Sequence, residues 1–92
     1  MVVTTELSLY PLTKDYEGPI IKFIQALKGQ SDIQVYTHSM STFVKGESKA
    51  VFNAIEKALT ATEPTVSLVI KAINWGSTSR KGVFKLLANS EN

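Results

Sequence analysis

The chain has 92 residues, of which 43% are hydrophobic and 20% charged, the length and balance of one globular domain rather than two. Ten basic and eight acidic residues give a net charge of +2 without any block of like charge, which neither demands nor excludes nucleic acid. There is no cysteine, so disulfides, thiolate metal sites and thiol nucleophiles are excluded.

The first ten residues lack the basic start and long apolar run of a secretory signal. No apolar run approaches the roughly 20 residues that span a bilayer. The expectation is a cytoplasmic protein with no membrane partner. A domain this small buries only about 60% of its unfolded surface, so association with itself would add stability.

Residues 2–10 alternate, with Val3, Leu7 and Leu9 on one side and Thr4, Glu6, Ser8 and Tyr10 on the other. That is a strand with one face on a core, closed by Pro11, which has no N–H for a ladder. Gly18 and Pro19 open a helix carrying the stripe Ile20, Ile21, Phe23, Ile24 and Leu27, which Gly29 stops. Residues 32–39 form a second strand, with Gln34, Tyr36 and His38 on one face. A bend at 39–41 leads to a short third strand at 42–45.

Gly46 then precedes a second helix at 47–62, with Val51, Ile55 and Leu59 spaced at i, i+4 and i+8. Glu63-Pro64 breaks it, and residues 65–73, rich in β-branched side chains, make the last strand. The remainder holds a Gly/Ser/Thr-rich loop and a short amphipathic piece at 83–87. The expected division is a domain at 1–75 and a loop with a tail at 76–92.

The order is β-α-β-β-α-β. Two right-handed βαβ units interleave in such a chain. The result is an α+β ferredoxin-like sandwich: a four-stranded antiparallel sheet of order 4-1-3-2 with two helices on one face. The bare face carries Thr4, Glu6, Ser8, Tyr10, Gln34, Tyr36, His38, Val69, Lys71 and Ile73. Its mixture of aromatic, aliphatic and hydrogen-bonding groups fits a second subunit, a ligand, or both; the alternative is a solvent face with scattered aromatics. Glu6 and Lys71 face each other on neighbouring strands, either as a cross-strand ion pair or with Glu6 turned to a cationic ligand.

Two stretches go further. Glu6-Leu7-Ser8-Leu9-Tyr10-Pro11-Leu12, and Thr37-His38-Ser39-Met40-Ser41-Thr42 followed by Gly46-Glu47, resemble the YkoF-like family in order and spacing, over roughly residues 3–73. That resemblance implies binding of thiamin or its hydroxymethylpyrimidine part by a homodimer or homotetramer joined through the open sheet face. It implies a site of Glu6, Ser8, Tyr10, Tyr36, Thr37, His38, Ser39, Met40, Ser41 and Thr42. In that site the hydroxyls meet an aminopyrimidine edge, Met40 packs on a flat ring, and Tyr10, Tyr36 or Trp75 stacks on the pyrimidine or faces the thiazolium. His38 departs from the family pattern, where an asparagine is expected.

Catalysis has little support. One histidine and no cysteine leave few nucleophile–base pairs, and no acidic orienter stands with His38 and its neighbouring serines. Neither a metal cluster nor a glycine-rich phosphate loop is expected, and no cofactor beyond the bound ligand. The loop after the first strand lacks the arginine of an acylphosphatase, and the third strand lacks the aromatic signature of an RNA-recognition domain. The alternative functions are a ligand-free or amino-acid-responsive regulatory module, and single-stranded RNA binding through Tyr10, Tyr36 and Trp75. Nucleic acid is not the expected partner.

Overall fold

The computed structural model describes residues 1–38, 41–63 and 65–74. The expected tail at 76–92, with its amphipathic piece, lies outside the described residues, as do Ser39, Met40 and Trp75. The elements run β1 (Val2–Pro11), α1 (Glu17–Lys28), β2 (Gln34–His38), β3 (Ser41–Glu47), α2 (Ser48–Ala61) and β4 (Val66–Ile73). Their order across the sheet is β2-β3-β1-β4, with every pairing antiparallel. This is the ferredoxin-like α+β fold that the element order predicts.

The period-2 pattern of β1 sets which side faces the helices. Val3, Thr5 and Leu7 are buried. Val3 and Leu7 join Phe23 and Leu27 of α1, Val51, Ala54, Ile55 and Ala58 of α2, and Val44 of β3 in one core. Each such large apolar side chain contributes about 1.5–3 kcal/mol on burial. Thr5 enters this core because its hydroxyl donates to the Val44 carbonyl at 3.1 Å, which removes the cost of an unpaired buried polar group. The two helices are tied by Gln30, whose Nε2 donates to Ala26 O at 3.3 Å and across to Ala54 O at 3.2 Å.

Helix α1 begins where Asp15 Oδ1 accepts the Gly18 N–H at 3.1 Å, and buried Pro19 in the same turn has no N–H to satisfy. Ile21 belongs to the expected stripe but is half exposed, since it falls one residue outside the i, i+3, i+4 row of Ile20, Phe23 and Ile24.

The third strand is longer than expected. Gly46 continues it, paired with Val3, and Glu47 is extended and flanks α2 instead of lying in its first turn. A Cβ at Gly46 would stand 3.3 Å from the Asp32 carbonyl and 3.5 Å from Val51 Cγ2. The glycine therefore lets β3 pass close beneath the start of β2 and under α2.

Candidate ligand site

The two ladders of β1 differ in length. Its described pairs with β3 run from Val2↔Glu47 to Leu7↔Thr42. Its pairs with β4 continue to Pro11↔Val66. A cavity of about 500 Å³ lies beside the last residues of β1, between them, the β2–β3 end and α1. Leu7, Ser8, Leu9 and Tyr10 supply the β1 wall; Thr37, Ser41 and Thr42 supply the β2–β3 wall. Tyr16, just before α1, and Ile20, Phe23 and Ile24 of α1 roof it.

The volume suits a drug-sized or smaller molecule. The lining is chiefly apolar and aromatic, with hydroxyls, and none of these described residues carries an acidic or basic side chain. Among the described residues, the hydroxyls of Thr37 and Thr42, on the helix side beside Leu7, have no hydrogen-bond partner. Thr42 is the telling case: the residue is only 7% exposed, yet no buried side-chain oxygen among the described residues lacks a partner. Its hydroxyl therefore keeps contact with the open space of the cavity.

Tyr10 and Tyr16 line the cavity while remaining about half exposed, so they form its rim. The loop that carries Tyr16 is held by local bonds. Thr13 Oγ1 donates to the Asp15 carbonyl at 3.0 Å, and Asp15 in turn accepts from Gly18.

The expected site residues thus divide. Ser8, Tyr10, Thr37, Ser41 and Thr42 meet at the cavity. Glu6, Tyr36 and His38 lie on the sheet face opposite the helices, as the register Tyr36↔Phe43↔Glu6↔Lys71 requires. There Lys71 Nζ stands 3.9 Å from Glu6 Oε1, the cross-strand ion pair that was one of the two arrangements expected for them. The Tyr36 hydroxyl donates to Gln34 Oε1 at 3.0 Å. Ser39 and Met40 lie outside the described residues.

Sequence reading missed two things. The pattern reads Ile20 and Ile24 with Phe23 as one core stripe and gives Tyr16 no role; Phe23 is indeed core, while Tyr16, Ile20 and Ile24, at helical spacing along the same side, also border the cavity. Phe43 was not placed on the bare face, where it is 1% exposed and packs with Tyr36 and Ile73. Thr4 and Glu6 on the same face are also buried. Among the described residues there is no cluster of metal-ligating side chains and no helix long and apolar enough to cross a membrane.

A sequence profile for the YkoF-related family matches residues 2–79. Curated proteins yield no significant match. Among solved structures the chain is similar to a domain of unknown function, DUF77, from Bacillus cereus, at 25% identity and a TM-score of 0.66, covering 86% of this chain and 81% of that one. A hypothetical protein of Methanocaldococcus jannaschii is also 25% identical, with a TM-score of 0.61 over 99% of this chain and 98% of its own. A Thermotoga maritima protein described as a candidate for thiamine biosynthesis or salvage shares the fold at 16% identity, with a TM-score of 0.73 over 94% and 99% of the two chains.

Proposed function

Because the chain belongs to the YkoF-related family, we propose that it binds thiamin or a related hydroxymethylpyrimidine without chemical conversion, in the cavity between β1, the β2–β3 end and α1. The observation that carries this reading is the cavity lining: a space of about 500 Å³ whose described walls are aliphatic and aromatic side chains and hydroxyls, with no charged side chain among the described residues. A flat, neutral, hydrogen-bonding ring matches such a lining, because an ion placed there would lose water without gaining a counter-charge. The aminopyrimidine enters the cavity, its edge taken by Thr42, Thr37 and Ser41. The cationic thiazolium of thiamin stays at the mouth, against the rings of Tyr10 and Tyr16. The description of the Thermotoga maritima neighbour supports a thiamine-related role.

Titration calorimetry with thiamin and with hydroxymethylpyrimidine tests the proposal. Saturable heat is expected for both. A dissociation constant of even 1 mM corresponds to about −4 kcal/mol, so silence from both ligands at millimolar concentration would remove the reading.

A further inference from the structure

Two hydrogen bonds fix which way the main chain of β1 points at each residue. In an antiparallel ladder, opposed residues that exchange bonds alternate with opposed residues that do not. One position beyond Val2↔Glu47, the Ser48 N–H donates to the Met1 carbonyl at 2.8 Å. The odd-numbered residues of β1 therefore turn their N–H and C=O toward β3. One position beyond Pro11↔Val66, the Leu12 N–H donates to the Thr65 carbonyl at 3.1 Å. The even-numbered residues therefore serve β4. The two bonds lie at opposite ends of the strand and on opposite neighbours, and they agree on the phase. Pro11 obeys it too, since the side on which it lacks an N–H is the side away from β4.

Leu9 is odd-numbered and stands where β1 has parted from β3. The described ladder ends at Leu7↔Thr42 and does not include Ser8 with Ser41, the next pair in register. Ser41 begins β3 and pairs with His38 of β2. Leu9 lines the cavity, and its side chain packs against the core. Its N–H and C=O point into the cavity, toward the wall that carries Thr37 and Thr42.

We propose that the main chain of Leu9 selects the ligand: its N–H donates to a ring nitrogen, and its carbonyl accepts from the adjacent amino group of a 4-aminopyrimidine. This rests on the reading that the cavity takes such a ring. In a sheet, an extended residue meets an equal and opposite donor–acceptor pair on the neighbouring strand. The amidine edge of a 4-aminopyrimidine, a ring nitrogen beside an amino N–H, is that pair on a flat frame, so the ring adds to β1 as a strand residue would. It then lies in the plane of the sheet, with one face against Ile20 and Ile24 of α1. The second amino N–H and the other ring nitrogen remain for the hydroxyls of Thr37 and Thr42. The arrangement discriminates by the 4-substituent. A 4-oxo ring sets an N–H against the Leu9 N–H and an oxygen against the Leu9 carbonyl.

The test uses the intact chain. Calorimetry compares thiamin with oxythiamin, which differs in carrying a 4-oxo group for the 4-amino group, and oxythiamin is expected to bind roughly tenfold more weakly or worse. Nuclear magnetic resonance follows the Leu9 amide. In the free protein its proton exchanges readily with water in the cavity; saturating thiamin or hydroxymethylpyrimidine moves it downfield and slows that exchange, while the Leu7 amide, bonded to β3, stays protected throughout. Leu9→Pro deletes this N–H without touching the β4 ladder, and Leu9→Ala removes the side chain alone, so Leu9→Pro is expected to bind roughly tenfold more weakly than Leu9→Ala. If Leu9→Pro does not fold, the amide resonance still decides. Equal affinity for thiamin and oxythiamin, an unmoved Leu9 amide at saturation, or a Leu9 amide already protected in the free protein each overturns the proposal while leaving the cavity as the binding site. Silence from both thiamin and hydroxymethylpyrimidine in calorimetry overturns the binding reading beneath it, and the proposal with it.

Discussion

Two threonines on the helix side of the sheet make opposite predictions. Thr5 is fully buried and donates to the Val44 carbonyl at 3.1 Å. Thr42 sits opposite Leu7, the next β1 residue on that side, and its hydroxyl has no hydrogen-bond partner among the described residues. Thr42→Val removes a hydroxyl and keeps the shape. No internal bond is lost, so the melting temperature should stay within about 2 °C, a change below roughly 0.5 kcal/mol. If that hydroxyl meets the pyrimidine edge, binding loses one hydrogen bond worth about 0.5–1.5 kcal/mol, or roughly two- to thirteenfold in the dissociation constant. Thr5→Ala does the reverse. It forfeits the bond to Val44 and leaves a small void, for about 2 kcal/mol and a fall of roughly 10 °C in melting temperature. The affinity of the folded molecule is unchanged. Thermal melts and calorimetric titrations of both variants decide the matter. Parental affinity in Thr42→Val for both ligands would refute the reasoning. So would a loss of affinity in folded Thr5→Ala equal to that of Thr42→Val.

Three further outcomes follow from the same geometry. Ile24→Trp, projecting into the cavity from its roof, should fill the space, lower affinity more than tenfold and leave the circular dichroism spectrum unchanged; parental affinity would place the ligand elsewhere. Glu6→Gln removes the charge beside Lys71 on the sheet face away from the core, so thiamin and the neutral pyrimidine should respond alike, and a selective loss for thiamin would bring Glu6 into the site. Gln30→Ala deletes the side-chain bond that reaches from the end of α1 to Ala54 of α2 and should cost about 1–2 kcal/mol in denaturant unfolding; an unmoved midpoint would dismiss that tie.

The fold was legible because its signals are local and repeated. β1 alternates cleanly since one face is buried, and a period of two admits only one assignment of faces. The helices declare themselves through i, i+3, i+4 rows and through Gly18-Pro19 and Gly29 at the ends of α1. The far end of β3 was less legible, because Gly46 reads as the exit to a turn. Yet β3 lies between β2 and β1, and pairing through Glu47 overrides the weak strand preference of glycine. Phe43 lies inside the expected strand, but its face follows only from the register with Tyr36 and Glu6.

The site was half legible for a different reason. The hydroxyl wall of Thr37, Ser41 and Thr42 belongs to a contiguous motif, so a resemblance in sequence carried it. The roof does not announce itself, because Ile20, Phe23 and Ile24 show the same spacing whether they close on a core or arch over a space. What separates the two outcomes is a tertiary quantity: β1 runs further along β4 than its described pairs with β3 extend. Beyond Leu7 the side of β1 turned toward the hairpin has no described strand partner, while α1 still crosses above it. A helix that packs a closed sheet at one end and roofs an opening at the other has one sequence pattern and two environments. The hydroxyls of Thr37 and Thr42 stand at that transition, where β1 parts from β3, and under the proposed function a small polar ring entering there would supply partners that the described residues do not.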